Sequence, residues 1–150
     1  MNKFWLVVTD PVNFAINMQR NFDVEGFQDR YKNRVKNVIK PGDKFVYYIK
    51  GKGDKKFGAI SEAISSYYYD ETKIWESHLK GKNEIYPHRF KIRPVCTLNE
   101  NHMLDVKNLA KDLDFIPATN WGGVFRQSLR QIGQKDFELI QSEMKRVIKP

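Results

Sequence analysis

The sequence predicts an α+β chain: a small open β-barrel of about five or six short strands with flanking helices. Two observations carry that expectation. Short runs rich in β-branched and aromatic residues (FWLVV, FVYYI, FGAISEAI, HRFKIRPV) are bounded by turn-forming residues. Helical stripes fall between and after them without a regular strand–helix–strand alternation, which argues against a doubly wound sheet. The 150 residues suit one domain and can bury a sizeable core without staples.

Residues 4–8, FWLVV, read as a short buried strand because the run is unbroken and apolar. Thr9, Asp10 and Pro11 end it, and a proline suits the first turn of a short helix with Phe14 and Met18 inward. Residues 21–26 read as a turn. Tyr31, Val35 and Val38, spaced four and three apart, predict a helix over 28–39, flanked by Arg30, Lys32, Arg34 and Lys36. KPGD is a turn signal. Two further strands follow, joined as a hairpin through GKGDKK, with Gly58 and Ala59 marking close packing or a bulge. Residues 65–87 are long, aromatic and irregular, and a compact domain seldom carries such a segment without a use for it. In HRFKIRPV, Phe90 and Ile92 alternate with Arg89, Lys91 and Arg93, which predicts a strand with one basic face, and Pro94 argues against a central position there. Val106, Leu109 and Leu113 predict a helix over 105–115. Phe137, Ile140, Met144 and Val147 predict an amphipathic one over 134–147. TNWGGVFRQSLRQI, residues 119–132, shows neither a clean alternation nor a clean stripe.

The formal charge is +8, with ten Lys or Arg against three Asp between Gln28 and Lys56. Such a surface attracts polyanions, although a solvated face gives the same composition. No apolar run is long enough to cross a membrane, and no signal peptide is recognisable at the start. Cys96 is the only cysteine, which excludes a disulfide framework or a cysteine metal cluster and suits a reducing, cytoplasmic setting. No nucleotide-binding, zinc-protease or hydrolase motif occurs. His78, His88 and His102 are scattered, so neither a metal nor a cofactor is expected. Asp10, Asp43, Asp54 and Asp70 are the carboxylates a nuclease would need, and each stands where turns favour aspartate anyway.

Aromatic and basic residues interleave in segments that read as loops. Trp75 and Trp121 both lie outside the periodic elements. They are either partly buried ends of the barrel or a wall for a planar base, which would stack on an indole regardless of sequence. A base taken out of its strand needs such a pocket, with polar groups for its edge.

The ordered set WLVVTDPVNF, IKPGDKFVYYI, FGAISEAI, DETKIW, YPHRFKIRPV and GGVFRQSLRQI, closed by the terminal helix, resembles an EVE domain of the PUA-like superfamily, related to YTH domains. The resemblance spans essentially the whole chain. It implies a PUA-like open barrel and a non-enzymatic nucleic-acid-binding module that reads a flipped, modified base, with modified cytosine in DNA favoured. It also implies a site. Asn13 would lie near the base edge, after the first strand. Phe22 would take the place of a tryptophan usual in relatives, and Phe27 would follow Gly26. Trp75 would close the pocket, with Tyr69 and Tyr86 as rivals. Arg126 and Gln127 would lie close by, with Trp121 as a neighbour. Arg30, Lys32, Arg34 and Lys36 would neutralise phosphates of a DNA or RNA partner. A monomer that avoids membranes is expected. The other readings left open are an RNA-binding or RNA-processing protein, a nuclease-type enzyme using Asp10 or Asp70, and a structural or protein-interaction module with an inert aromatic core.

Overall fold

The computed structural model describes residues 1–51, 55–77, 83–119 and 121–148, with the Trp121 side chain outside that set. In chain order the elements are β1 (Phe4–Thr9), α1 (Pro11–Gln19), β2 (Val24–Phe27), α2 (Lys32–Asn37), β3 (Lys44–Lys50), β4 (Lys55–Ala63), β5 (Tyr68–Tyr69), β6 (His88–Thr97), β7 (Leu104–Asp105), α3 (Val106–Leu109), β8 (Leu129–Ile132) and α4 (Gln134–Ile148). Six strands make one curled sheet in the order β2–β6–β4–β3–β1–β8, while β5 and β7 hang from β6 and β4. The β1–β3 pair is parallel, and α1, β2 and α2 fill the crossover between its strands.

β1 and β3 are buried on both faces, which is why they read as unbroken apolar runs. Trp5, Val7, Phe45, Tyr47 and Ile49 point into the curl with Phe14, Phe22, Phe27, Val35 and Phe90. Leu6, Val8, Val46 and Tyr48 point outward beneath Phe137, Ile140 and Met144 of α4. The sheet curls where its ladders break. The β3–β4 pairing steps from Tyr47↔Ala59 to Tyr48↔Phe57 and skips Gly58, the bulge that the glycine predicts. A Cβ there would lie 2.7 Å from Ile49 Cδ1 and 2.8 Å from Phe14 Cζ. On β6, Pro94 stands beside a second irregularity opposite Ile60 and Ser61. That strand pairs with β2 through His88–Lys91 and with β4 from Ile92 onward, so the proline sits at a break and not inside a regular ladder.

Of the segment 119–132, Trp121–Phe125 form a 3-10 turn, and β8 follows as the strand at the far edge of the sheet. Phe125 fastens the turn by stacking on Tyr48 at 3.8 Å between centroids. Several sequence expectations are corrected. Only 21–23 of the segment 21–26 is a turn, and β2 begins at Val24. The helix expected over 28–39 is a 3-10 turn, Asp29–Tyr31, leading into the short α2; of the expected stripe Tyr31 and Val35 are buried, whereas Val38 is only half-buried and Ile39 takes the inward place. The helix expected over 105–115 shrinks to α3 and a 3-10 turn. Met18 is exposed, and α1 instead buries Asn13, Phe14 and Asn17. The turn between β3 and β4 includes residues 52–54, outside the described set.

The largest departure is Arg89. Alternation places it on an exposed basic face, yet it is 1% exposed. Its guanidinium donates from Nε to Tyr86 O at 3.0 Å, and from Nη2 to Ile85 O at 3.0 Å and to Thr72 O, with Asp70 at 3.6 Å. A buried cation persists only when paired and hydrogen-bonded. Here the carbonyls are those of Thr72, Ile85 and Tyr86, from the segment that reads as irregular.

Candidate functional site

The sheet path ends at β2 and β8, and the open curl leaves a gap between β2 and the β1–α1 corner, with Ser128, just before β8, at its rim. An edge strand presents a row of backbone groups with no strand to pair them. In this gap lies a cavity of about 40 Å³, lined by Val7, Thr9, Asn13, Asn17, Glu25, Gly26, Phe27, Gln28, Trp75, Tyr86 and Ser128, among others. Gln28, Tyr86 and Ser128 also line an adjoining open groove of about 730 Å³, whose other walls include Arg30, Lys50, Tyr69 and Arg126. Tyr86 therefore stands between the cavity and the groove. Its φ of +53° is left-handed, a conformation that side chains other than glycine or asparagine seldom adopt.

The walls follow from the local chain. Asp10 caps α1 by accepting from Asn13 N at 2.9 Å. Helical spacing then sets Asn13 and Asn17 on one face, turned toward the gap. Asn13 is committed to the aromatic segment: its Oδ1 accepts from Glu76 N at 2.8 Å and its Nδ2 donates to Glu76 O at 2.9 Å. That clamp fixes the neighbouring Trp75, which is 2% exposed and donates from Nε1 to Asn17 Oδ1 at 2.7 Å. An indole N–H can only donate, so Asn17 must present Nδ2 to its other partner, Glu25 Oε2, at 3.4 Å. The opposite oxygen of Glu25 accepts from Gly26 N at 3.1 Å. Burial pushes the Glu25 carboxyl up to about 7, offset only in part by hydrogen bonds from Gly26, Tyr47 and Asn17. Tyr47 is in turn within 3.0 Å of Ser61 Oγ. Beside this chain, Gln28 Oε1 is buried and finds no hydrogen-bond donor among the described residues. Such an acceptor costs about 1–3 kcal/mol unless something donates to it.

Gly26 is required by close approach. A Cβ there would lie 2.5 Å from Tyr86 O and 2.7 Å from Trp75 Cζ3. Gly26→Ala is therefore expected to lower the unfolding free energy by about 1–3 kcal/mol through overpacking. Urea unfolding checks this, and a variant as stable as the parent would mean that Trp75 is loosely held.

Of the sequence-expected residues, Asn13, Phe27 and Trp75 meet in the cavity and Arg126 lines the groove. The others need correction. Phe22 is not a pocket wall. The chain turns through φ +50° there and drops the ring into the core, edge-on to Phe14 and Tyr47. Asn13 holds Glu76 with its amide. Gln127 lines neither space and accepts from Arg34 Nη1 at 3.4 Å. Arg34 also donates to Leu129 O at 2.8 Å, so its Nη1 braces β8 while the residue stays exposed and lines neither space. Lys32 and Lys36 are exposed but line neither space, which leaves Arg30 as the member of that cluster on the groove. The side chain of Trp121 lies outside the described residues. Asn17, Glu25 and Gln28 were not legible as site residues. The segment around Glu25, RNFDVEGFQ, has the composition of a turn and carries no signal for it.

The carboxylates that a nuclease would need have structural roles. Asp10 caps α1. Asp43 accepts from Lys3 N, Trp5 Nε1 and Lys40 N. Asp70 accepts from Thr72 N and lies beside Arg89. Asp54 lies outside the described residues. Among the described residues, no group of three His, Cys, Asp or Glu could hold a metal ion, and no helix is long and apolar enough to cross a membrane.

The profile of the EVE domain family matches residues 3–143. A UPF0310 protein of Pyrococcus abyssi is 36% identical over 147 residues, covering 93% of this chain and 97% of that protein. Among solved structures, the YTH domain of the Zygosaccharomyces rouxii MRB1 protein, in complex with N6-methyladenosine RNA, superposes with a TM-score of 0.64 at 17% identity, over 96% of this chain and 87% of that one. Human THYN1, in complex with 5-methylcytosine-containing DNA, gives 0.59 at 14% identity, over 99% and 100%. With nearly its whole length matched by the family profile, this chain belongs to the EVE domain family.

Proposed function

We propose that the chain is a non-enzymatic reader that takes a flipped, modified base, with modified cytosine in DNA favoured, into the cavity between β2 and the β1–α1 corner. The observation that carries this is the buried, unpaired Gln28 Oε1 in a cavity that also holds Trp75, Tyr86 and the polar pair Asn17 and Glu25. An aromatic wall with unsatisfied polar groups suits a planar heterocycle with hydrogen-bonding edges. The DNA in the THYN1 complex and the RNA in the YTH complex support the same class of ligand.

The cavity as it stands has room for a few waters and not for a base. Entry then requires Tyr86 to swing toward the groove, where its ring would stack on the incoming base. Arg30, Lys50 and Arg126 line that groove and would meet the phosphates that follow the base. Arg126→Ala is expected to weaken all strands alike and to lower the slope of log affinity against log salt by roughly one.

The test is a titration with short single-stranded and duplex DNA carrying cytosine, 5-methylcytosine or 5-hydroxymethylcytosine, and with RNA carrying N6-methyladenosine. A preference for one modified cytosine is expected. A preference for the RNA would move the reading toward an RNA reader, and equal weak affinity for every probe would overturn it.

A further inference from the structure

Resting on that reading, we infer that Glu25, as a carboxylic acid, selects the base by its amidine edge, with Gln28 requiring that the exocyclic amino group carry both hydrogens. The edge meant is a ring nitrogen acceptor beside an amino donor, as in cytosine. Adenine shares this edge, so it is the reading above that makes the ligand a cytosine modified at C5; what the edge itself excludes is thymine and a base methylated on its amino group.

The argument starts from the placement of the carboxyl. Glu25 lies on the edge strand that borders the gap, 5% exposed, and lines the cavity with Trp75 and Gln28. The groups around it come from several elements: Asn17 on α1, Tyr47 on β3, Ser61 behind Tyr47 on β4, and Trp75 through Asn17. Arg89, on the strand paired with β2, is the adjacent cation. Its guanidinium is directed to backbone carbonyls and Asp70. None of these supplies a counter-charge that would hold Glu25 as a carboxylate, and a base closing the cavity would remove more water. The acid form is therefore the one that meets a ligand.

A carboxylic acid offers one O–H donor and retains lone pairs for acceptance. Its protonated oxygen can still accept from Asn17 or Gly26 while it donates forward. The complement of an adjacent donor and acceptor is an acceptor beside a donor. Cytosine presents this as N3 and N4, whereas thymine presents the reverse, N3–H and O4. One amino hydrogen would go to Glu25 and the other to the orphaned Gln28 Oε1. Replacing that second hydrogen by methyl would leave Gln28 unpaired and crowd it. A methyl at C5 touches neither contact.

The experiment compares short single-stranded DNA differing at one central base: cytosine, 5-methylcytosine, N4-methylcytosine or thymine. Thymine carries the same C5 methyl as 5-methylcytosine on an inverted edge. At about pH 6, 5-methylcytosine is expected to bind at least about tenfold more tightly than thymine, and N4-methylcytosine more weakly than cytosine. Between about pH 6 and pH 8.5 the advantage over thymine should shrink as Glu25 ionises. Glu25→Gln, which donates and accepts at any pH, should keep a preference for 5-methylcytosine with a flat pH profile, and Glu25→Leu should lose the preference. Gln28→Leu should remove the penalty on N4-methylcytosine. If 5-methylcytosine is preferred over cytosine but thymine binds as well, or if the profile is flat in the parent protein, this inference fails while the reader survives. If none of the four strands is preferred, the reader itself fails.

Discussion

Trp75→Ala is expected to lower the unfolding free energy by about 3–5 kcal/mol and to abolish discrimination among bases. The indole is 2% exposed and packs edge-on to Tyr86 at 6.1 Å, with the Arg89 guanidinium carbon 5.2 Å from its ring centroid. Removing it leaves a cavity beside Gly26, strips a cation–π partner from a buried arginine, and leaves Asn17 Oδ1 without its donor. Trp75→Phe separates these effects. It keeps an aromatic wall but lacks the N–H, so Asn17 is no longer pinned and the loss should be nearer 1–3 kcal/mol. Urea unfolding gives the stabilities, and binding is compared only under conditions where each variant is fully folded. An alanine variant within about 1 kcal/mol of the parent would show that the wall is not built on this ring.

The second large effect is on stability against pH. The Glu25 carboxyl sits at about 7 in the folded protein against 4.5 as its ordinary value. The folded state thus holds this proton more tightly than the unfolded state. Its contribution is fully present below about pH 4.5, declines as pH rises, and is lost once pH passes about 7, for a total of about 3 kcal/mol. Asp70 and Asp105 act in the opposite sense and at lower pH. Hydrogen bonds from Thr72 and from Lys56 hold their carboxyls below the usual range, so their contribution is lost as pH falls. Subtracting the Glu25→Gln curve from the parent curve isolates Glu25. The variant is expected to be less stable at pH near 5, since Gly26 and Asn17 donate to different oxygens of Glu25 and the amide puts an NH2 donor in place of one of them. It should lack the decline between about pH 4.5 and 7. Parallel curves for the two proteins would place the Glu25 carboxyl back in the ordinary range.

What the sequence disclosed and what it concealed divides by range of interaction. β1, β3, β4 and α4 are periodic or unbroken in their own residues, so local pattern suffices. Gly58 marks its bulge because only a glycine fits against Ile49 and Phe14. Trp75 could be picked out because an indole in an irregular segment has few structural reasons to be there. Arg89 could not be placed, because its burial depends on carbonyls of Thr72, Ile85 and Tyr86, which no pattern around residue 89 reveals. Glu25 was hidden for a related reason. The segment after α1 has the polar, glycine-containing composition of a turn, and only pairing with β6 makes it a strand. Phe22 and Phe27 look equivalent as aromatics flanking that segment. The backbone turn at Asn21 and Phe22 sends one into the core, while β2 carries the other to the cavity. Arg34 looks like any surface cation until β8, almost a hundred residues later, supplies the carbonyl it holds.

The position of β1 has a consequence for how the molecule is made. This strand, near the beginning of the chain, lies between β3 and β8, and its partner on one side is Leu129–Ile132. While the polypeptide emerges from a ribosome, β1 can be covered on the β3 side early, but its other edge has no strand until Leu129–Ile132 has been synthesised. During that interval the nascent sheet ends in FWLVV, an apolar strand with an open row of backbone groups, the kind of edge that invites pairing between chains. Pairing across so long a sequence separation is also slow to form. The same closing strand carries Ser128 to the cavity by its register with β1. The cavity is therefore complete only once β8 has docked on β1, and a chain that stops short of β8 has the basic surface without that wall.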